Sequence, residues 1–430
     1  MNERLRQREA SGQPIEVALV GAGAMGIGIA WQTARTPGMR LACVVDLDLA
    51  AARRAADAYG APSQTVGPGD RLPARGTVPI AVDPFDLIGR PELRLDVLVE
   101  ATNTIGFAGR LCEAAIDRGL HVVLMNAEVD LALGPQLVAR AERGGKGAIV
   151  TSDGGDQHGV LARMIDEIEL WGFRIVMAGN IKGYLDRHAT AASLAHEAAI
   201  RNLNPVQCCA YTDGTKLGVE MALLANGYGL VPWLPGMEGP RVADVRDVFQ
   251  AFDFHKYGAT GVVDYILGAE PGGGVFVVGQ CDDPLQQRYL QYYKLGDGPF
   301  YLFYRPYHLC HLETPRAIAR AVFHGEAVLQ PRRGRVADVY AYAKRDAAAG
   351  EDVPHGIGGD HCYGLIERAA DADAAGHVPI ALLDVEAGEE RPRIRRNVAQ
   401  DTALTWDDIV LPDSWLVRRW RAEGLAVPAA

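Results

Sequence analysis

An α/β fold that opens with a doubly wound parallel sheet is predicted by three features of the sequence. Apolar runs alternate with helical patterns from Ile15 to Thr151, a glycine-rich turn separates the first run from the first helix, and an aspartate closes the second run. Parallel strands joined by helical crossovers are buried on both faces, so they appear as continuous apolar stretches rather than alternating ones.

The first domain is expected over residues 1–154. Its strands are VALV (17–20), LACVV (41–45), DVLVEA (96–101), HVVLM (121–125) and AIVTS (148–152), and Gly60 to Gly76, rich in Gly and Pro, forms a loop after the second helix. Past Gly154 the segments LPGMEGPR (234–241) and GAEPGGG (268–274) interrupt the alternation, which predicts an α+β domain for substrate or assembly over 155–330. QPRRGR (330–335) has the composition of a linker. Short strand-like pieces around AKRDAAAGE (343–351) and GIGGDHCYG (356–364) then predict a small all-β module over 331–430.

A chain of 430 residues exceeds what one core usually holds, and 48% hydrophobic with 23% charged residues is the balance of a folded protein. The net charge of -11, without a long Lys/Arg run, argues against nucleic acid or anionic membrane as partners. The polar start MNERLRQREASGQP is unlike a signal peptide, and no apolar stretch approaches the roughly 18 residues of a membrane span. A cytoplasmic protein with a small-molecule partner is therefore expected. Seven cysteines without a CxxC pair fit neither a disulfide framework nor a zinc ribbon.

Gly21-Ala22-Gly23-Ala24-Met25-Gly26 follows the strand VALV and opens a helix that Pro37-Gly38 stops. Such a turn needs Gly21 for its tightness, Gly23 for close approach of backbone to a pyrophosphate, and Gly26 for close helix packing. The helix start supplies N–H donors and positive dipole. Asp46 lies twenty residues after Gly26, where a carboxylate accepts hydrogen bonds from the adenosine ribose and repels a 2′-phosphate. The fold is thus a Rossmann domain, and the expected cofactor is NAD in preference to NADP. Thr102 and Asn103 end the third apolar run and are placed to bond the phosphate or ribose. Asn126 and Glu128 end the fourth and border the nicotinamide, with helix capping as the alternative reading.

Hydride transfer asks the protein for a proton donor or acceptor, a positive group at the oxygen, and exclusion of water. Four segments of the second domain offer these groups: Asp156 in GGDQHG, Lys182 in GNIKG, Asp213-Gly-Thr-Lys216, and Arg305-Pro-Tyr-His308 after the aromatic run FYLFY. Asp213 is expected to end a strand, VQCCAYT, and to start a helix on which Lys216 and Glu220 share a face, with a solvated ion pair as the alternative to a catalytic pair. The glycines around Lys182 suggest backbone fitted to a ligand. His308 and His311 have HxxH spacing but no accompanying carboxylate cluster, so no metal is expected.

On these segments the chain resembles the homoserine dehydrogenase-like oxidoreductases that carry a C-terminal SAF domain, a family that includes the DXR-like reductoisomerases. The matching stretches are GAGAMG (21–26), LMNAEVD (124–130), GDQHG (155–159), GNIKG (179–183), DGTK with VEMALLANGYGLVP (213–232), GMEGPR (236–241), GPFYLFYRPYHL (298–309) and AKRDAAAGE with GIGG (343–359). The resemblance implies a Rossmann domain, a central catalytic and oligomerising domain, a β-clip SAF module, and a homo-oligomer. Homoserine dehydrogenases carry a lysine after the strand that here ends in Met125-Asn126, where this chain has Ala127 and Glu128. The reductoisomerases use NADPH, whereas Asp46 favours NAD. The expected activity is NAD-dependent oxidation or reduction at a CH–OH/C=O centre of a polyol, sugar phosphate or hydroxy acid. Lys216 would transfer the proton, Glu220 and Asp213 would set its position and pKa, and Lys182, Arg305 and His308 would hold the substrate. The alternatives are a reductoisomerase acting on deoxyxylulose phosphate with NADPH and a non-catalytic NAD-binding regulator.

Overall fold

Residues 1–200, 204–386 and 388–422 are described by the computed structural model, so the last eight residues of the expected C-terminal module lie outside the described range. The chain divides into two units. The first comprises Met1–Gly159 with Leu309–Gln330, and the second Val160–His308 with Pro331–Ala430. The first break falls at 159 rather than 154, the break after 330 is where it was expected, and the grouping differs. Residues 309–330 return to the first unit, and the C-terminal hundred residues join the second.

The first unit is built on a seven-stranded parallel sheet. Its strands are β1 (Ile15–Val20), β2 (Met39–Val45), β3 (Ser63–Thr65), β4 (Val78–Ala81), β5 (Val97–Glu100), β6 (His121–Leu124) and β7 (Val150–Ser152). They lie in the order β3-β4-β2-β1-β5-β6-β7, so the winding reverses between β1 and β5. Strands β1, β4, β5 and β7 are buried along their whole length, which explains the unbroken apolar runs. Strands β3 and β4 escape the sequence pattern for different reasons. The first is three largely exposed polar residues inside the expected Gly60–Gly76 loop, and the second is a short run, VPIA, interrupted by Pro79. The helix Cys310–His324 packs on the helix Ala24–Arg35, where a Cβ on Gly28 would lie 2.6 Å from the His311 ring.

The second unit holds a mixed five-stranded sheet in the order β12-β11-β8-β10-β9. Its strands are β8 (Arg174–Lys182), β9 (Val231–Pro232), β10 (Val262–Leu267), β11 (Val275–Gln280) and β12 (Phe300–Arg305). Strands β8, β9 and β10 run parallel, and β11 is antiparallel to both β8 and β12. The expected strand VQCCAYT is instead the helix Pro205–Thr212: Pro205 takes the first helical position and the Asn204 side chain accepts from Val206 N–H. After residue 330 come two antiparallel pairs, β13 (Ala337–Ala343) with β14 (Cys362–Arg368) and β15 (Arg393–Ile394) with β16 (Ile409–Val410). The module is not all-β, because the helices Ala369–Ala374 and Trp415–Ala422 complete it. Among the described residues, no helix is long and apolar enough to cross a membrane.

Candidate functional site

At the carboxyl ends of β1, β2, β5, β6 and β7 the first unit presents its turns on one side of the sheet, where open α/β sheets bind ligands. The three glycines of the first turn have three distinct reasons. Gly21 has φ +93°, and a Cβ there would sit 2.4 Å from Ala101 O, at the point where the winding reverses. A Cβ on Gly26 would sit 2.0 Å from Gly21 O, so only hydrogen lets the helix abut the turn. Gly23, by contrast, caps the helix Ala24–Arg35, and its missing Cβ would meet no protein atom within 4 Å. Gly23 and Ala24 are exposed and Met25 is half-buried, so the helix start faces open space. That is the shape a dinucleotide pyrophosphate requires, and the residues fit the cofactor.

Asp46 completes the cradle. Its Oδ2 accepts from Ala22 N–H at 2.7 Å and its Oδ1 from Asp48 N–H at 2.8 Å. The carboxylate is therefore turned toward the glycine loop and fixed in orientation. Thr102 donates its N–H to Glu100 Oε1 and shares a hydroxyl contact with Thr104, while Asn103 is exposed. Asn126 is buried and caps the helix Ala127–Gly144, accepting from Val129 N–H and donating to Thr104 O. Its side chain thus ties the β5 turn to the β6 turn, and Glu128 lies half-buried in that helix's first turn.

Beneath these turns lie three buried carboxyls that sequence reasoning missed. Burial pushes Glu100, Asp130 and Asp153 each up to about 7, against hydrogen bonds that pull the other way. Asp130 accepts from the Ser152 hydroxyl, and Asp153 accepts from Gly155 N–H with Thr314 beside it. Asp156 is also buried and accepts from Gln157 N–H. The only trace of Glu100 and Asp153 in the sequence is an acid at the end of an otherwise apolar run.

In the second unit, the helix Thr215–Tyr228 carries Lys216 and Glu220, 7% and 1% exposed, one turn apart. Asn180 of β8, fully buried, donates its amide to Glu220 Oε2 at 3.1 Å. Sequence reasoning passed over Asn180 although it sits in the GNIKG segment. Lys182 ends β8 half-buried. The glycine before it has a packing reason, since a Cβ on Gly179 would lie 2.5 Å from the Phe276 ring; Gly183 has no such conflict. Arg305 ends β12 with its guanidinium 4.4 Å from the Tyr307 ring centroid, and His308 follows half-buried.

Asp213 has a different setting from the one expected. Its Oδ2 accepts from Lys344 Nζ at 2.8 Å and its Oδ1 from Thr215 N–H at 2.9 Å. Lys344, 2% exposed, also donates to Ala189 O and Gly359 O, and although burial alone would lower its pKa, Asp213 holds the ammonium above its usual range. Lys344 belongs to the AKRDAAAGE segment, so the DGTK and AKRD motifs meet in one buried ion pair. The same helix is held again at Thr215, which accepts from Gly364 N–H, and at Asn226, which accepts from Val336 and Ala337 N–H. The β13–β14 ribbon is thereby fastened along the helix that bears Lys216. Beside the ion pair lies a cavity of about 220 Å³, lined among others by Arg187, Asp213, Met237, Tyr265 and Leu365. Met237 has φ 70°, a conformation that a non-glycine residue adopts only under constraint from its surroundings.

Residues 155–314 match the family model of the catalytic domain of oxidoreductase DRL. The chain is an oxidoreductase by that segment. No curated protein sequence matches the chain. Among solved structures it is similar to GenD2 from gentamicin A biosynthesis in complex with NAD, at 14% identity and TM-score 0.41 over 74% of this chain and 90% of that one. It is similar also to a myo-inositol dehydrogenase from Corynebacterium glutamicum ATCC 13032, at 11% identity and TM-score 0.41 over 73% and 89%. A third is myo-inositol 2-dehydrogenase from Lactobacillus plantarum, at 12% identity and TM-score 0.40 over 73% and 91%.

Proposed function

We propose that this oxidoreductase is an NAD-dependent dehydrogenase acting on a CH–OH/C=O centre of a small polar substrate: a polyol, a sugar phosphate or a hydroxy acid. The observation that carries the reading is the orientation of Asp46, whose two oxygens are fixed by Ala22 and Asp48 N–H at the mouth of a glycine cradle. A carboxylate held there favours the two free hydroxyls of the NAD ribose and disfavours a 2′-phosphate. When bound, the nicotinamide ring exchanges the hydride with the substrate carbon. Lys216 moves the proton at the substrate oxygen, and Glu220, oriented by Asn180, keeps the lysine positioned. Lys182, Arg305 and His308 hold the polar groups of the substrate.

The decisive experiment is a screen of purified protein for NAD reduction against polyols, sugar phosphates and hydroxy acids, followed by Lys216→Ala. Turnover with one class, lost by two or more orders of magnitude in the variant with cofactor affinity retained, supports the assignment. Cofactor binding without turnover, and indifference to Lys216→Ala, would select a regulator instead. A reductoisomerase, the reading suggested by the motif resemblance, would be identified by turnover of deoxyxylulose phosphate with NADPH.

A further inference from the structure

The sheet of the first unit has a second opening, at the amino ends of its strands, away from the glycine turn. It is a cleft of about 500 Å³ whose walls include Arg40 near the start of β2, Arg71 and Arg75 from the segment between β3 and β4, and Arg94 just before β5. Two carboxylates, Glu16 and Glu92, share the lining. Glu16 is engaged already, accepting from Arg40 Nε at 2.6 Å. Arg71, Arg75 and Arg94 are exposed, as is Glu92. Leu72, Pro73, Pro79 and Leu93 give the cleft an apolar floor. In a chain of net charge -11, two exposed guanidinium groups from one connection, with Arg94 beside them 3.8 Å from Asp96, give this cleft a local excess of positive charge.

The wall is also held in shape. Arg90, 7% exposed, donates to Asp70 O at 2.6 Å and to Gly67 O at 2.5 Å, and Asp86 orients its guanidinium. Asp70 in turn accepts from Gly67 N–H, and Arg75 donates to Gly12 O. A long connection tied by a buried arginine, presenting two more arginines four residues apart, is preorganised, which lowers the ordering cost of binding.

We infer that this cleft is a binding site for a small polyanionic metabolite bearing phosphate or carboxylate groups on a compact apolar frame, separate from the dinucleotide turn. Guanidinium groups lining one cleft match the planar oxygens of either group. The test uses the full chain and two probes, inorganic pyrophosphate and citrate, at ionic strength matched with sodium chloride. Melting temperatures and titration calorimetry are compared for the parent protein, for Gly23→Val, which obstructs the glycine cradle, and for Arg71→Ala/Arg75→Ala. A melting rise of several degrees in the parent and in Gly23→Val, with binding at least tenfold weaker in the arginine variant, supports the site. The stronger probe then tells phosphate from carboxylate. No rise in the parent overturns it, as does a rise that survives the arginine substitutions or one that Gly23→Val abolishes. Folding of the arginine variant is checked independently by circular dichroism and by retained NAD binding, and a charge-keeping variant, Arg71→Lys/Arg75→Lys, recovers part of the affinity.

Discussion

At the scale of single residues, the glycine turn separates folding from binding. Gly23→Val places a side chain where the protein has no atoms and the backbone is already extended, so the melting temperature stays within a degree or two while NAD binding falls at least tenfold, measured by calorimetry. Gly26→Ala does the opposite: its methyl group collides with Gly21 O, and overpacking of that kind costs about 1–3 kcal/mol of stability. Asp46→Ser removes the oriented carboxylate. Hydrogen bonds to a charged group contribute about 1.5–3 kcal/mol, so the proposed preference for NAD over NADP should narrow by roughly one to two orders of magnitude in the ratio of kcat/KM values. The turn at Gly21, the packing of Gly26 on it and the spacing to Asp46 were visible in the sequence because they fall within one strand–turn–helix–strand stretch, whereas the close approach of Gly21 to Ala101 was not, since Ala101 follows the strand β5, eighty residues further on. Asn180 and Lys344 were not visible either, since their partners lie 40 and 131 residues away and no local spacing encodes them.

At the scale of elements, the helix Thr215–Tyr228 depends on the β13–β14 ribbon that clasps both its ends. Lys344→Met leaves Asp213 buried without its counter-ion, and loss of one partner from such a pair costs about 3–5 kcal/mol. Lys344→Met with Asp213→Leu costs distinctly less than the sum of the two single substitutions in urea denaturation, because the doubly apolar site strands no charge. The central strands of the first sheet were visible as apolar runs, whereas VQCCAYT misled. Its two cysteines, valine and tyrosine suit a strand, yet an asparagine cap and a proline at the first helical position start a helix, and the tertiary setting decides between them. Lys216 and Glu220 were correctly seen to share a helix face. What the spacing could not convey is that this face is buried and that Asn180 meets it from a strand.

At the scale of the whole molecule, buried carboxyls set how stability varies with acidity. Glu100, Asp130, Asp153 and Asp264 are each raised to about 7 by burial, while in the unfolded chain they ionise near their ordinary values. Between about pH 4 and 7 the folded protein therefore holds more protons than the unfolded one. Their favourable contribution is complete below the unfolded values and is lost as pH rises through about 7. Unfolding free energy should fall from pH 5 to pH 8, by up to about 1.4 kcal/mol per pH unit below 7 for each such carboxyl, and Asp130→Asn, which stays neutral, should flatten the slope; urea titrations at both values check this. The division into units carries its own consequence for synthesis. Val328 N–H bonds to Thr151 Oγ1, and Ser152 N–H to Leu329 O, so the edge of the first sheet is finished by residues from beyond the second sheet. A ribosome releasing this chain from its amino end has to deliver about three quarters of it before the first unit can close. A fragment ending at residue 159 should aggregate, and the same fragment joined by a flexible tether to 309–330 should melt cooperatively.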